Sequence, residues 1–393
     1  MKQVKLKNVF SELINGEWGS EAQEVLAGVS VLRTTNFTNE GKIDYSEVVK
    51  RVIDPFKVQK KKLRPGDIIL EKSGGSDHQP VGRVVFFNDP GEYLCNNFTM
   101  VLRVNQKTFS PRYIFYYMYG LHQKGITQKF QNKTTGIRNL QVKAYLELPF
   151  RFAIPTITEQ KRIAGILDKV QSLIALQKQQ LEKLDLLIKS KFIDMFGDPI
   201  TNPKNWPIRR MGDVFKITSG GTPSTQEDSY WSGGTISWIG SNLCQNVILN
   251  KNDGQFITEN GLNNSSAKIL PVGTVLIALV GATIGKTALL NFSTTTNQNV
   301  AAVWVSKNKS YDSLFMFYFI QGLYDLFMRI GSGKFKMANL QFINNLPIFN
   351  VSVSLQTQFA NFVKSVEQQK EVFTTRLSHL ETLYKSLMQE YFG

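Results

Sequence analysis

Thr158-Glu-Gln-Lys-Arg-Ile-Ala-Gly-Ile-Leu-Asp168 opens a stretch that runs without proline to Phe192-Ile-Asp-Met-Phe-Gly-Asp-Pro199. Apolar or tolerated residues fall at Ile163, Leu167, Val170, Ile174, Gln177, Leu181, Leu184, Ile188, Lys191 and Met195, in steps of four and three that keep one seam on one helix face. Moving 196 residues along the chain gives a second seam at Phe359, Val363, Val366, Lys370, Phe373, Leu377, Leu380, Tyr384, Leu387 and Tyr391. Each predicts a helix of about 40 residues, about 60 Å long, with Thr158 or Ser354 as its cap. A narrow apolar seam on an otherwise polar helix needs a partner, and the repeat supplies one. Gly197-Asp-Pro199 with Asn202-Pro203 ends the first helix and returns the chain into a globular segment.

The repeat extends outward from the helices. Leu63-Arg-Pro-Gly-Asp-Ile-Ile-Leu70 parallels Leu270-Pro-Val-Gly-Thr-Val-Leu-Ile277, and Gly82-Arg83 parallels Gly285-Lys286. Asn97 matches Asn299, Tyr113 to Leu121 matches Phe315 to Leu323, Asn139-Leu140 matches Asn339-Leu340, and Pro149 matches Pro347. The offset drifts from 207 to 198 through these segments and then holds at 196 from Gln160 and Gln356 to the paired Phe-Gly. Drift followed by a fixed offset is what loop-length changes in a globular body and none in a helix would leave. The bodies read as mixed α/β: Leu63 to Leu70, Val81 to Phe87, Phe98 to Val104, Val272 to Val280, Thr287 to Phe292 and Val300 to Val305 as strands, Tyr113 to Leu121 and Phe315 to Leu323 as short helices.

With 393 residues, 42% hydrophobic and 20% charged, the chain is long enough for two or three domains with cores of their own. Forty-six Lys and Arg against 31 Asp and Glu leave a net charge of +15, which favours phosphate backbones as partners. Residues 1–155 carry 23 basic and 14 acidic side chains, and residues 197–350 carry 12 and 8. Two cysteines, Cys95 and Cys244, cannot build a disulfide framework or a cysteine zinc site, so a reducing cytoplasm is expected. No apolar run reaches the roughly 20 residues of a membrane span, and the first residues lack a signal-peptide pattern.

Catalytic patterns are weak. Gly281-Ala-Thr-Ile-Gly-Lys-Thr287 resembles a phosphate loop but has the wrong glycine spacing, and a strand pattern follows where that motif needs a helix. Asp54-Pro55-Phe56 and Asn88-Asp89-Pro90-Gly91 are incomplete versions of the motif that holds a flipped base. Asp67 with Glu71-Lys72 is a faint version of a nuclease metal site, and His78, His122 and His379 lack a catalytic constellation nearby in sequence.

Side chains suited to DNA are easier to find. Lys60-Lys61-Lys62 with Arg64 is the densest basic cluster and suits phosphates, as a solvated charge run also would. Gln131, Asn132, Lys133, Thr134 and Arg138, on an expected loop, and Lys334, Lys336 and Asn339 have the chemistry that pairs with base edges. Ser73 and Gly74, Arg83, Ser219, Gly220 and Thr222, and Thr283 with Lys286 lie at expected strand ends or turns, where small residues let backbone amides approach phosphate.

Thr158 to Asp168 together with Phe192 to Pro199 closely resembles the central conserved helix of Type I restriction-modification specificity subunits, and Leu355-Gln-Thr-Gln-Phe-Ala360 through Phe392-Gly393 resembles their C-terminal one. Gly212-Asp-Val-Phe-Lys-Ile-Thr-Ser-Gly-Gly-Thr-Pro223 is similar to the usual start of a target recognition domain. The resemblance covers essentially the whole chain. It implies an α/β protein with two globular target recognition domains, residues 1–155 and 197–350. Two long helices, 156–196 and 351–393, would separate them as an antiparallel coiled coil with a pseudo-two-fold internal repeat. It further implies a non-catalytic cytoplasmic subunit that reads double-stranded DNA at an asymmetric bipartite site. Two modification subunits holding S-adenosylmethionine and restriction subunits using ATP would dock on it, with no cofactor or metal on this chain. Ile166, Leu173 and Leu176 are candidate docking positions. Two departures stand out: Val351-Ser-Val-Ser-Leu-Gln356 lacks the proline of Pro155-Thr-Ile-Thr-Glu-Gln160, and Asn15-Gly-Glu-Trp-Gly19 stands where the second body has Ser219-Gly-Gly-Thr-Pro223. The two bodies should therefore read unrelated sequences. A stand-alone nucleic-acid-binding scaffold that dimerises through its helices is the competing expectation. An ATP-binding enzyme using Gly281 to Thr287 is a third, and Lys286→Ala would abolish nucleotide binding only in that case.

Overall fold

A computed structural model describes residues 4–22, 28–76, 78–134, 137–150, 153–252, 254–305, 310–330 and 337–393, and the side chains of Lys133 and Thr134 lie outside that description. The chain forms two compact units, one of Met1–Leu176 with Arg376–Gly393 and one of Gln177–Thr375. Each unit takes one α/β body and a share of both long helices.

In the first unit the strands are β1 (Phe10–Asn15), β2 (Ser20–Glu21), β3 (Val29–Leu32), β4 (Val49–Val52), β5 (Ile68–Glu71), β6 (Ser73–Gly75), β7 (Val84–Phe86), β8 (Tyr93–Cys95), β9 (Thr99–Val104), β10 (Gln131–Thr134) and β11 (Ile137–Leu140). The helices are α1 (Pro55–Lys61), α2 (Pro111–Gln123) and α3 (Val142–Leu146). An antiparallel sheet, β1-β9-β5-β7, carries the core on both faces. Ile68 and Leu70 point to the α2 side, where Tyr113, Phe115 and Tyr116 are buried, and Ile69 points to the side of Leu32 and Phe87. That two-sided burial is why β5 reads as an unbroken apolar run. The strand is shorter than the Leu63 to Leu70 segment expected, because Pro65-Gly66 forms a turn: Gly66 takes φ +95° and Asp67 receives the Arg64 N–H at 2.7 Å. Two smaller sheets, β2-β4-β3-β8 and β10-β11-β6, complete the body.

The second unit repeats the plan. After α4 (Ile157–Phe196) come β12 (Ile208–Arg210), α5 (Met211–Val214), β13 (Phe215–Ser219), β14 (Ile236–Ile239), β15 (Val247–Leu249), β16 (Gln255–Ile257) and α6 (Glu259–Asn263). They are followed by β17 (Val275–Ala278), β18 (Thr287–Leu290), β19 (Thr295–Thr296), β20 (Val300–Val305), α7 (Ser313–Gly322), α8 (Tyr324–Met328), α9 (Leu340–Asn345), β21 (Pro347–Phe349) and α10 (Val353–Phe392). The sheet order is β13-β20-β17-β18-β15, with β16-β14-β19 and β12-β21 beside it. Val275 and Ile277 of β17 join the core shared with α7, while Leu276 and Ala278 join the opposite one.

Each long helix is 40 residues. Within the first unit they run antiparallel, with Arg162 bonded to Tyr391 and Gln171 Nε2 donating to Tyr384 Oη at 2.9 Å. Within the second, Lys370 Nζ lies 2.8 Å from Asp185 Oδ1, and the rings of Phe196 and Phe359 are 5.6 Å apart. Every seam position is turned inward: Ile163, Leu167, Val170, Ile188, Phe359, Val363 and Val366 are buried, and Leu181, Leu184, Leu377, Leu380, Tyr384 and Leu387 are half-buried. The caps differ from the expected ones. Thr156 Oγ1 accepts from Glu159 N and Ser352 Oγ from Leu355 N, both at 3.3 Å, so each helix starts two residues earlier than Thr158 and Ser354 suggested. Among the described residues no helix is long and apolar enough to cross a membrane.

A glutamine at the same repeat position fastens each body to its helix pair. Gln160, 1% exposed, accepts the N–H of Ser110, the residue before α2, at 2.9 Å and donates to Pro155 O at 2.9 Å. Gln356, fully buried, accepts the N–H of Asp312, the cap of α7, at 2.8 Å and donates to Val351 O at 3.0 Å.

Candidate nucleic-acid interface

In the first unit the segment expected as a loop from Phe130 to Arg138 contains an antiparallel hairpin, β10 with β11, in which Lys133 faces Arg138 and Asn132 faces Asn139. Ser73 and Gly74 do not end a strand either; they belong to β6, which pairs with β11 through Arg138 to Gly75 and Asn139 to Ser73. Two clusters about 60 residues apart in sequence thus meet on one small sheet, whose edge is the short glycine-containing strand β6. Gln131 Nε2 donates to Val81 O at 3.1 Å while its Oε1 receives Arg138 Nη1 at 3.4 Å, Ser73 Oγ bonds to Asn139, and Gln141 bonds to exposed Asn132. Gly74 is exposed at φ +102°. Lys133 and Thr134 contribute backbone to β10, and their side chains fall outside the described residues.

The basic cluster sits at the end of α1. Lys61 Nζ lies 2.7 Å from Glu17 Oε2, a contact that holds the Glu17 carboxyl below the usual carboxylate range, and Arg64 lies 3.9 Å from Glu12. Lys60 is exposed and Lys62 half-buried; neither has an ion-pair partner among the described residues. Cations without a fixed partner remain available to a phosphate.

Arg83 is buried. Its guanidinium bonds both oxygens of Glu71 at 2.9 Å and donates to Phe37 O and Thr34 O at 3.1 Å. Arg103 grips Asp67 in the same bidentate way, at 2.9 and 2.8 Å. The acidic pair Asp67 and Glu71 is therefore bound to arginines, and Arg83 serves the fold, since its donors are taken up inside the body. Burial also pushes the ring of His122 down to about 4, with repulsion from Arg83 adding to the shift, so this histidine is neutral at pH 7.

In the second unit Ser219 closes β13, and Gly220 follows it buried, with a Cβ at Gly220 meeting Thr296 O at 1.9 Å. The close approach this glycine permits is to the chain itself. Thr222 Oγ1 donates to Gln298 Oε1 at 2.6 Å. Thr283 ends a 3-10 turn and Lys286 follows Gly285, between β17 and β18; Lys286 Nζ donates to Gln245 Oε1 at 2.9 Å. The strand that follows, β18, is what the spacing of Gly281 to Thr287 led one to expect in place of a nucleotide loop. Asn339 caps α9, its Oδ1 accepting from Phe342 N at 2.8 Å, so its oxygen is committed to the helix. Lys334 and Lys336 lie outside the described residues.

Sequence reasoning passed over the two glutamine fasteners, although both stand at the first position of the constant offset. It named Lys72 only within a faint nuclease pattern; burial holds its ammonium below the usual lysine range and its Nζ donates to Asn15 Oδ1 at 2.7 Å. The half-buried Trp238 of β14 and the exposed Phe256 of β16 were missed as well. An indole or phenyl ring in a strand pattern looks like core until the free face of the sheet is known.

A family model described as "Type I restriction modification DNA specificity domain" matches residues 1–186 and 203–382. The chain is 23% identical over 325 residues, 74% of its own length and 71% of the relative's, to the Type I restriction enzyme MjaVIII specificity subunit of Methanocaldococcus jannaschii. It is 27% identical over 154 residues, 38% of this chain and 37% of the relative, to the Type I restriction enzyme EcoR124I/EcoR124II specificity subunit of Escherichia coli. The S subunit of the Type I restriction-modification system from M. genitalium shares the fold, with a TM-score of 0.60 at 14% identity over 100% of this chain and 96% of that one. Two matches of one specificity-domain family, one on each repeat, cover nearly all of the sequence, and the chain belongs to the Type I restriction-modification DNA specificity family.

Proposed function

We propose that this chain is the non-catalytic subunit that selects the DNA site of a Type I complex, each body reading one half of an asymmetric bipartite target and the helix pair setting the unread spacer. The observation that carries the reading is the duplicated unit: an α/β body fastened to an antiparallel helix pair by a glutamine at one repeat position. Bodies built on one plan but differing in their candidate contact residues suit two unlike half-sites in neighbouring major grooves, about 34 to 36 Å apart per helical turn. In the first unit the β10-β11-β6 sheet, with Gln131, Asn132 and Arg138, would face base edges, and Lys60 and Lys62 would hold phosphates. In the second, Ser219, Thr222, Thr283 and Lys286 would line the contact, with Asn339 at its margin; Lys334 and Lys336, outside the described residues, are candidates by their chemistry alone.

The partners in this reading are double-stranded DNA, two modification subunits that carry S-adenosylmethionine, and restriction subunits that use ATP, all in the cytoplasm. Leu173 and Leu176, about half exposed on α4, and half-buried Ile166 are apolar positions that suit such docking. The test is to map methylated adenines in cells that carry this chain and its modification subunit, then replace residues 197–350 with those of a relative. One half of the mapped motif should change and the other should not. Change in both halves, or in neither, overturns the assignment of one body to one half-site. Methylation by the isolated chain would overturn the non-catalytic reading, and dimerisation without any response to a modification subunit would favour the stand-alone scaffold.

A further inference from the structure

A cleft of about 440 Å3 opens on the second unit beside the turn Asp228–Tyr230 and the edge strand β16, lined by Thr225, Asp228, Trp231, Gln255 and Phe256. Its aromatic walls are set from behind. Trp231 Nε1 donates to Ser224 O and Trp238 Nε1 to Gly221 O, each at 3.0 Å, and the two indoles meet edge to face with centroids 5.3 Å apart. Phe256 is 43% exposed, although the next residue, Ile257, is fully buried. The polar groups of the cleft have no internal duty: neither Asp228 nor its neighbour Glu227 is ion-paired among the described residues, and no hydrogen bond engages the side chains of Thr225 and Gln255 there. Among the described residues no lysine or arginine lines it.

An aromatic cleft with an uncompensated carboxylate repels phosphate and attracts a cation. Among protein cations the guanidinium fits best, since it is flat, stacks on aromatic faces and donates two parallel hydrogen bonds to a carboxylate. The first unit contains this chemistry within its own chain. The Arg51 guanidinium lies 4.1 Å from the ring centroid of Trp18, and its Nη1 is 3.2 Å from Glu21 Oε1. The strand registers relate the two places. Asn96 N donates to Leu32 O at 2.9 Å and Asn297 N to Ile239 O at 3.3 Å, so Val31, which faces Val49 of β4 and Leu94 of β8, matches Trp238, which faces Gln255 of β16 and Thr295 of β19, and Phe256 is the counterpart of Lys50, the neighbour of Arg51. The first unit fills its indole–carboxylate site with a guanidinium of its own chain, whereas the aromatic cleft of the second stands open.

We infer that this cleft receives an arginine side chain of a partner polypeptide, the guanidinium stacked against Trp231 and Phe256 and paired with Asp228. The inference stands apart from the DNA reading and is tested without DNA. The indole N–H resonance of Trp231 in the full chain, assigned with Trp231→Phe, is followed while N-acetyl-arginine amide, N-acetyl-lysine amide or adenosine is added to about 10 mM. The arginine probe should move the resonance saturably and the other two should leave it nearly in place. Asp228→Asn and Phe256→Ala should each weaken the response about tenfold while the indole signals of Trp206 and Trp304 stay at their wild-type positions, which shows that the fold is kept. A shift with adenosine alone would make the cleft a nucleobase site and overturn the inference. An arginine response that survives both substitutions, or no response at all, would overturn it too.

Discussion

Gln356 accepts the backbone N–H of Asp312 at 2.8 Å from a fully buried position, tying the start of α10 to the start of α7. Its carboxamide also satisfies Val351 O, so removing it leaves a donor and an acceptor buried without partners. Gln356→Ala should destabilise the second unit by about 2 to 3 kcal/mol, as such orphaned groups cost, seen as a lower urea midpoint. Gln160→Ala should do the same in the first unit, where Ser110 N and Pro155 O lose their partner. Unchanged midpoints in both variants would show that these bonds do not anchor the bodies.

Arg83 and Glu71 form a bidentate pair in which the carboxylate side chain is 2% exposed. Arg83→Ala should cost about 3 to 5 kcal/mol, because it strands a buried carboxylate. Measured by calorimetry, a loss below about 1 kcal/mol would mean the pair behaves as a surface contact and would return Arg83 to the set of candidate DNA contacts.

Gly220 is a structural glycine by the same kind of argument. A Cβ there would lie 1.9 Å from Thr296 O, a backbone atom that cannot swing away, so Gly220→Ala should destabilise by about 2 kcal/mol or more. Thr222→Ala removes one exposed hydrogen bond and should change stability by less than about 1 kcal/mol. Equal effects of the two substitutions in a thermal melt would contradict this placement.

The half-buried ring of His122 makes the first unit sensitive to acid. Its folded-state value of about 4 lies below the ordinary 6.5, so the unfolded chain takes up the proton first as pH falls. Stability is complete above about 6.5 and is lost through His122 as pH drops toward 4. In His122→Gln that share of the pH dependence should vanish, leaving a flatter curve of melting temperature between pH 6.5 and 5. Parallel curves for the two proteins would refute the neutral, partly desolvated ring.

Lys60 is exposed and lacks an ion-pair partner among the described residues. Lys60→Ala should weaken duplex binding by the complex to a similar degree on every sequence and reduce the slope of log K against log salt by about 1. A loss confined to one sequence would instead make Lys60 a base reader.

The long helices were legible because a seam with steps of four and three, kept over 40 residues and repeated, has few other physical solutions. The paired strands were legible for a related reason: β5 and β17 are apolar on both faces, and their runs align in the two repeats. What stayed hidden depends on tertiary pairing. The hairpin β10-β11 looked like a loop because Gln131-Asn-Lys-Thr134 is polar, and the strand character of this stretch comes from pairing with β11, itself flanked by β6, rather than from its own pattern. Arg83 looked like a surface cation because Glu71, twelve residues away, meets it only through the β5-β7 ladder. Glycines misled in the same way: Gly220 makes room for Thr296, a contact between distant segments.

Several arginines of the first unit turn inward. Arg83 and Arg103 lie in buried bidentate pairs, Arg51 rests on Trp18, and Arg112 Nε donates to Asp168 at 2.6 Å. The outer field of this unit is therefore mainly a lysine field, held by ammonium groups that acylating reagents can neutralise without entering the core. Mild acetylation should discharge the exterior while melting behaviour stays nearly constant, whereas a guanidine-directed reagent could modify Arg83 or Arg103 only in molecules that have already opened.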